Sequence, residues 1–576
     1  MLSNKRRRTL LLLAFFRCVL PVFLWLVEAS VWFKPLKSAL QTDTVPTGIL
    51  NYGEFGKILK NIGYVQLVDN DGRRFPRTGE SGEKLADAGL ELIPFQKKRR
   101  VDEYLFKARP ERYGKLVESF FPHGVKQKEG WPILAINLPE EDLYDADKGI
   151  IRHRDKQGRD WERKAEVIFL DEGGIVFSSA AGLRVHGGKR RLIKPFQSYR
   201  LHFRKKYGME EIPAGLVLAK TGAIKNLVVQ MTDWPPGQPM NNPLAYDISA
   251  QMGCIVPETK LVEVYLNGTS IGSAFITEHL SRRQWDQYVP GGEYLFYKFR
   301  GNFTPEDERL YFQRFWAYAA DKKQFSLRKV ASSIDIDNFT RHLFSWVFNG
   351  TTDACQGVGF LDTSDPEAKL RWINWDMDHS YWDRFAVTNS VERPNWQQEG
   401  LALIYIKGNN YCDRSVLFTR LISESDEYRR YFSALVTETL NHQLTEEFLL
   451  ARVAYYARML EQFGTPQQEY IAMLEEFMRH RADFIRAEMV NQLGLGSVLS
   501  CRVETTVDQP LLIDGYRYAA GYRGWYFKGQ KIVLEPDGAA AARFSHWLVD
   551  GRKVAGPRLE HVVEKEAAIT AVFTGR

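Results

Sequence analysis

The chain has 576 residues, is 44% hydrophobic and 26% charged, and carries 78 Lys and Arg against 71 Asp and Glu, a net charge of +7. That length and apolar content suffice for several domains, each burying its own core. Charges of both signs nearly balance and no long basic tract appears beyond residues 184–200 and the short patch Lys97–Arg100, which argues against a nucleic-acid partner. Five scattered cysteines form no Cys-x-x-Cys pair, and the eleven histidines include no His-Glu-x-x-His, so zinc-ribbon, thiol-redox and zincin chemistry are unsupported.

Lys5 to Arg8 precede Thr9–Val27, an apolar run broken only by Arg17 and Pro21. A run of about 20 apolar residues spans a bilayer, and the preceding positive charge would hold the start in the cytoplasm, with the bulk after about residue 34 beyond the membrane. A cleaved signal peptide is the competing reading, since the small residues Ala29 and Ser30 follow the run. Residues 41–130 read as a mixed, membrane-proximal segment with a helix-like stretch over Asp102–Phe121.

From Trp131 to about Lys225 the pattern is β-rich with Gly turns. Asn241–Met252 reads as a helix with Pro243 near its start and Gly253 closing it. Val262–Thr277 reads as a hairpin turned at Asn267-Gly268. Pro305–Phe325 and Ile336–Phe348 are helical by apolar spacing, as is most of Ser415–Leu493. After Gly494 the alternation returns, and Val503–Arg576 reads as a small β-sandwich. Its Trp525, Tyr526, Phe544 and Trp547 are either an aromatic face for a surface or envelope polymer or the core of a small domain.

Chemistry concentrates in Phe348–Asp383, where Asp353 follows a helix-like run and Asp376 and Asp378 follow the strand-like Leu370–Trp375. Mg²⁺ takes few protein carboxylates and completes its shell with water and phosphate oxygens, so this pattern points to phosphoryl transfer. The bland alternative is a turn or helix cap built by Asp. If the strand continues, Asp376 and Asp378 share a face. Arg184–Arg200 supplies Arg184, Lys189, Arg190, Arg191, Lys194 and Arg200 around Gly187-Gly188, a candidate phosphate cradle or else a solvated basic loop. Arg184 and Arg200 stand out because each sits in a strand-like frame.

These segments together resemble the CotH-like atypical kinases, named after a spore-coat protein. The likeness runs through Trp131–Gly149, Ala181–Gly208, Leu261–Leu280, the loop Asp with its later Trp-Asp-x-Asp, and Glu475–Leu493, covering about residues 131–495. The resemblance implies an α+β, two-lobed kinase-like core, β-rich over 131–300 and helical over 301–495. It would be flanked by the amino-terminal membrane segment and the terminal sandwich over 500–576. It further implies ATP- and Mg²⁺-dependent (or Mn²⁺-dependent) transfer to protein Ser/Thr. By matching position, Asp353 would be the catalytic-loop acid and Asp376 the metal ligand, with Asp378 a second candidate ligand. Arg184, Lys194, Arg200, Glu278 and Lys298 would face the nucleotide, Glu278 by orienting a basic residue. The chain departs from the family where Asn often follows the loop acid, with Gln356 the candidate metal ligand in its stead, and at Gln197, where Lys is frequent. Two other classes fit the residues: a silent, kinase-like surface or envelope scaffold, and a hydrolase with paired carboxylates.

Overall fold

The computed structural model describes residues 132–574, except 172–173, 193–196, 232–239, 286–292, 299–303, 317–324, 352–355, 382–393, 406–412, 463–467 and 520. The expected membrane segment, the segment over 41–130, Asp353 and Lys194 lie outside the described residues. Among the described residues, no helix is long and apolar enough to cross a membrane.

Seven strands close into a barrel: β1 (Ile133–Asn137), β2 (Arg163–Asp171), β3 (Gly174–His186), β4 (Ser198–His202), β5 (Asn226–Met231), β6 (Lys260–Leu266) and β7 (Thr269–Glu278). Their order is β1-β2-β3-β4-β5-β7-β6, and β6 returns parallel to β1. Alternation decides what fills the barrel. Ile136, Val167, Phe169, Leu183, Leu201, Leu227, Val229, Val262, Val264 and Ile276 recur at every second position and share one buried core. The residues between them face outward, which is where the chemistry lies. The β6–β7 connection is the expected two-residue turn, with Asn267 and Gly268 both at positive φ (48° and 77°) as strand twist requires.

Beyond the barrel, β8 (Tyr294–Lys298), β9 (Val358–Asp362) and β10 (Arg371–Ile373) form an antiparallel sheet in the order β10-β9-β8. Val358 pairs with Lys298 on one side and Ile373 on the other. The end of β8, the start of β9 and the end of β10 therefore share one margin. That margin packs against a helical block comprising α1 (Asn241–Gln251), α2 (Pro305–Tyr311), α3 (Ile336–Asn349), α4 (Asp413–Glu424), α5 (Asp426–Glu438), α6 (Glu446–Gln462) and α7 (Gln468–Leu493).

Helix α3 starts where the Asp335 side chain accepts from the Asn338 amide and stops at Gly350, whose φ of 59° a residue with a Cβ adopts only with strain. Its stripe of Phe339, Leu343, Phe344 and Val347 joins Leu417, Phe432, Val453, Leu474 and Phe477 in one core. Between α5 and α6 the chain makes a π turn, Thr439–Gln443, within the stretch that reads as mostly helical.

The terminal region holds β11 (Val498–Thr505), β12 (Leu511–Ile513), β13 (Tyr516–Tyr518), β14 (Tyr522–Phe527), β15 (Lys531–Pro536), β16 (Phe544–Val549), β17 (Arg552–Val554), β18 (Leu559–Val562) and β19 (Ala567–Phe573). They form two sheets, β14-β11-β19-β16-β17 and β13-β12-β15-β18, around a common core. The four aromatics do not make one binding face. Tyr526 and Trp547 are 2% and 0% exposed in that core, whereas Trp525, on the other side of its strand, is 37% exposed and carries the Arg486 and Arg523 guanidiniums on its ring. His442 of the π turn stacks between Tyr516 and Tyr522, with ring centroids 4.6 and 5.3 Å away, and bonds Tyr518 Oη at 2.7 Å, which docks the sheets on the helices.

Candidate functional site

On the outer face of the barrel, Arg184 of β3 stands directly opposite Arg200 of β4. Like charges facing each other across strands repel, so the pair needs an anion. Glu162, just before β2, supplies one: its Oε2 accepts from Arg184 Nη2 at 2.6 Å and from Arg204 Nη2 at 3.1 Å, and its Oε1 accepts from Arg204 Nε at 3.1 Å and Tyr207 Oη at 3.0 Å. Burial pushes the Glu162 carboxyl up, but the bonds from Arg204, the charge of Arg184 and the Tyr207 hydroxyl outweigh it and leave its pKa at about 2. Gly182 makes this possible, since a Cβ there would sit 2.6 Å from Glu162 Cδ.

Arg200 continues the row toward the three-stranded sheet. Its Nη1 donates to Nε2 of His279 at 2.7 Å. Burial, then Arg200, then Lys298 hold His279 well below the ordinary histidine range, so the ring is a neutral acceptor. Burial and neighbouring Arg200 likewise push His202 down to about 3. The His279 ring meets Trp375 edge-on at 6.5 Å, and Lys298 Nζ lies 5.1 Å from the Trp375 ring centroid. Burial lowers the pKa of Lys298, Asp376 opposes that shift and Arg200 adds to it, which places these three charges within electrostatic reach of one another.

Asp376 lies three residues past the end of β10, on the margin shared with Lys298. Strand alternation does not carry through to it. Asn374 turns the chain by bonding His342 and Ser345 of α3, and Asp376 adopts φ 62°, a conformation Asp tolerates better than most residues. Its amide donates to Tyr246 Oη at 3.0 Å and the next amide to Asn242 Oδ1 at 3.0 Å, both on α1. Asp376 is consequently half-buried while Asp378 is 5% exposed, and the two do not present one strand face as the alternation predicts. Nearby His379 is buried as well, 6% exposed. Positive φ in non-glycine residues stores strain that surrounding contacts must hold, and Tyr381 (φ 60°) repeats the feature five residues on.

A buried polar network fixes the ground under this loop. His342 Nδ1 donates to Asn374 Oδ1, while its Nε2 accepts from Arg414 Nη1 at 3.0 Å, as a neutral ring must. Burial and then Arg414 hold that ring neutral. The same Arg414 nitrogen reaches the Gln356 carbonyl at 2.9 Å, and Arg414 Nε meets Asp413 Oδ1 at 3.3 Å. Arg481 of α7, 0% exposed, donates to the carbonyls of Phe348, Val347, Trp396 and Gln398. It thereby caps the carboxyl end of α3, where helix-dipole charge favours a cation. Thr351, immediately before 352–355, bonds Ser380 Oγ at 2.7 Å. Both flanks of the segment containing Asp353 are thus anchored to the Asp376 loop or its support.

The structure brings together Arg184, Arg200, Lys298 and Asp376, with Gln356 at the same sheet margin. It does not bring Glu278 to them in the expected way. Thr277 pairs with Val228 and Val228 with Arg200, so these three share a face, whereas Glu278 pairs with Leu227 on the opposite face, is 0% exposed, and accepts from Gln284 Nε2 at 2.8 Å. Arg191 is also diverted: its guanidinium bonds the carbonyls of Arg154, Asp155, Gly187 and Gly188 and so shapes the loop. Among the described residues, no three His, Cys, Asp or Glu side chains converge as a metal cluster. Sequence reasoning missed Glu162, His279, Arg414 and the capping role of Arg481.

A family model described as CotH kinase protein matches residues 183–484, just over half of the chain. The chain belongs to the CotH kinase family. A search of curated proteins finds no match. Membership in the CotH kinase family carries a kinase-type function and, in general terms, a protein substrate. The matched part begins in β3 and ends within α7. It contains Arg184, Arg200, Lys298, Gln356, Asp376, Arg414 and Arg481, and leaves Glu162 outside.

Proposed function

We propose that this CotH kinase transfers the γ-phosphoryl group of ATP to a Ser or Thr of a protein acceptor, with the barrel and the helical block acting as the two lobes of a kinase-like core. The observation that carries the reading is that Lys298 lies within electrostatic reach of both Arg200 and the half-buried Asp376, with Arg184 opposite Arg200 across the strands. Arg200 and Lys298, two cations close to one another, suit a phosphate anion. A half-buried carboxylate such as Asp376 suits a divalent ion that keeps water and phosphate oxygens in its shell.

In this reading Asp376 and the amide oxygen of Gln356 would hold Mg²⁺ or Mn²⁺, with the buried Asp378 a further candidate ligand. The ion would neutralise charge between the β- and γ-phosphates. Arg200 and Lys298 grip the phosphates, and neutral His279 keeps the Arg200 guanidinium aimed without adding charge. Asp353 accepts the acceptor's hydroxyl proton. The amino-terminal anchor belongs to the same proposal and puts the site beyond the membrane. Protease protection of intact cells or vesicles tests that orientation.

Nucleotide-dependent thermal stabilisation tests the site. ATP with Mg²⁺ should raise the melting temperature of the wild type and leave that of Lys298→Ala unmoved. No shift in the wild type would refute nucleotide binding. The departure at Gln356 favours a second reading, a nucleotide-binding scaffold without turnover, which would give the shift but no labelled product.

A further inference from the structure

We propose that Glu162 is the positioning residue for the phosphate-binding cations, the part that sequence matching assigns to Glu278. The inference rests on the phosphoryl-transfer reading above. Four observations carry it. Glu162 is 2% exposed at its side chain and bonds Arg184, Arg204 and Tyr207 at 2.6–3.1 Å. Arg184 is the cross-strand neighbour of Arg200, which in turn is coupled to His279 and Lys298. Gly182 lacks the Cβ that would collide with the Glu162 carboxylate. Glu278, the alternative, lies on the opposite face of β7 from the row containing Arg200.

The physical role follows from the charge pattern. Arg184 and Arg200 face each other across strands, Arg204 shares Glu162 with Arg184, and Lys298 lies within electrostatic reach of Arg200, so without a fixed anion repulsion would splay these side chains toward solvent. Glu162 offers both carboxylate oxygens to two guanidiniums, which restricts the rotamers of Arg184 and Arg204 and leaves Arg200 facing the sheet margin. Arg184 Nε and Arg200 Nε are buried without a hydrogen-bond partner among the described residues, so the pair is held by its other nitrogens. Fixing these side chains before the ligand arrives reduces the ordering that binding must otherwise impose.

Two effects of removing this charge oppose each other. Glu162→Gln raises the positive potential, which attracts phosphate, but it releases the arginines. Positioning predicts that the second effect wins.

The experiment measures Mg·ADP affinity by calorimetry, together with KM and kcat for ATP, on the whole chain. Glu162→Gln should weaken Mg·ADP binding and raise KM by about ten-fold, the scale of one charge-assisted hydrogen bond, with a smaller change in kcat. In an Arg184→Ala background the same substitution should have little further effect, because Glu162 acts through that arginine. Gly182→Ala should move affinity in the same direction without altering charge, and Tyr207→Phe should do so more weakly. Those two variants report if Glu162→Gln does not fold. Equal or tighter binding by Glu162→Gln, or full additivity with Arg184→Ala, overturns the positioning role while the nucleotide site stands. Absence of Mg·ADP binding to the wild type overturns both.

Discussion

Replacing Arg481 by Met tests the support beneath the acidic loop. The guanidinium is 0% exposed and donates to four backbone carbonyls, at 3.0 Å to Phe348, 2.7 Å to Trp396, 2.6 Å to Gln398, and also to Val347. Methionine fills much of the volume but donates nothing, so carbonyls at the end of α3 lose their partner away from water. An unsatisfied buried polar group costs about 1–3 kcal/mol, and because the four share one donor group and the backbone relaxes, a loss of about 3–5 kcal/mol is expected. For a unit the size of the helical block this corresponds to a melting point lower by roughly 6–20 °C.

Arg481→Lys should recover less than half of the loss, since one ammonium cannot span carbonyls that a planar fork reaches from different sides. Thermal denaturation measures the stability. Hydrogen exchange should show that the protection lost is concentrated at the carboxyl end of α3. A variant within about 1 kcal/mol of wild type, or full recovery by lysine, would refute the capping argument.

Glu488 gives a pH prediction. Burial raises its carboxyl to about 7 despite Arg481 and the Ala402 and Leu401 amides, whereas the unfolded value is near 4.5. The folded state holds this proton more tightly than the unfolded chain. Its contribution is therefore fully present below about pH 4.5 and lost as pH rises through about 7, and it amounts to at most about 3 kcal/mol. Glu488→Gln should flatten that part of the stability profile, which denaturation midpoints at about pH 5 and about pH 8 would measure. Arg414→Lys should lower kcat by about ten-fold or more, with KM for ATP changed little, because the Gln356 carbonyl and His342 lose a shared donor and the loop carrying the acids loosens. Steady-state kinetics alongside a melting curve separates that outcome from general unfolding.

The parts of the fold governed by local rules were legible in the sequence. The barrel strands announce themselves by alternation, the β6–β7 turn by Asn267-Gly268, and α3 by its apolar spacing. Pairing was not legible, because register depends on strands distant in sequence. No local pattern says that Arg184 faces Arg200, or that Glu278 points to the side away from Arg200.

Asp376 and Asp378 illustrate a different failure. Alternation predicts a shared face, but tertiary bonds from Asn374, Tyr246 and Asn242 end the strand at Ile373 and turn the backbone left-handed. Buried cations are equally hard to read. Arg481 and Arg414 look like solvated helix residues until the carbonyls they satisfy are known, and the Glu162 partners of Arg184 and Arg204 sit 22 and 42 residues away. The π turn at Thr439–Gln443 is hard to read for the same reason, since its Asn441 and His442 bond the terminal sheets.

The central claim is that Asp376 serves phosphoryl transfer beside Lys298 and Arg200. Its most direct test is incubation of the purified chain with γ-labelled ATP, Mg²⁺ or Mn²⁺ and a panel of Ser- and Thr-containing proteins, comparing wild type with Asp376→Asn at matched folding. Metal-dependent label on Ser or Thr in the wild type, and its loss in the variant, is the predicted result. Equal labelling by both proteins would contradict the account.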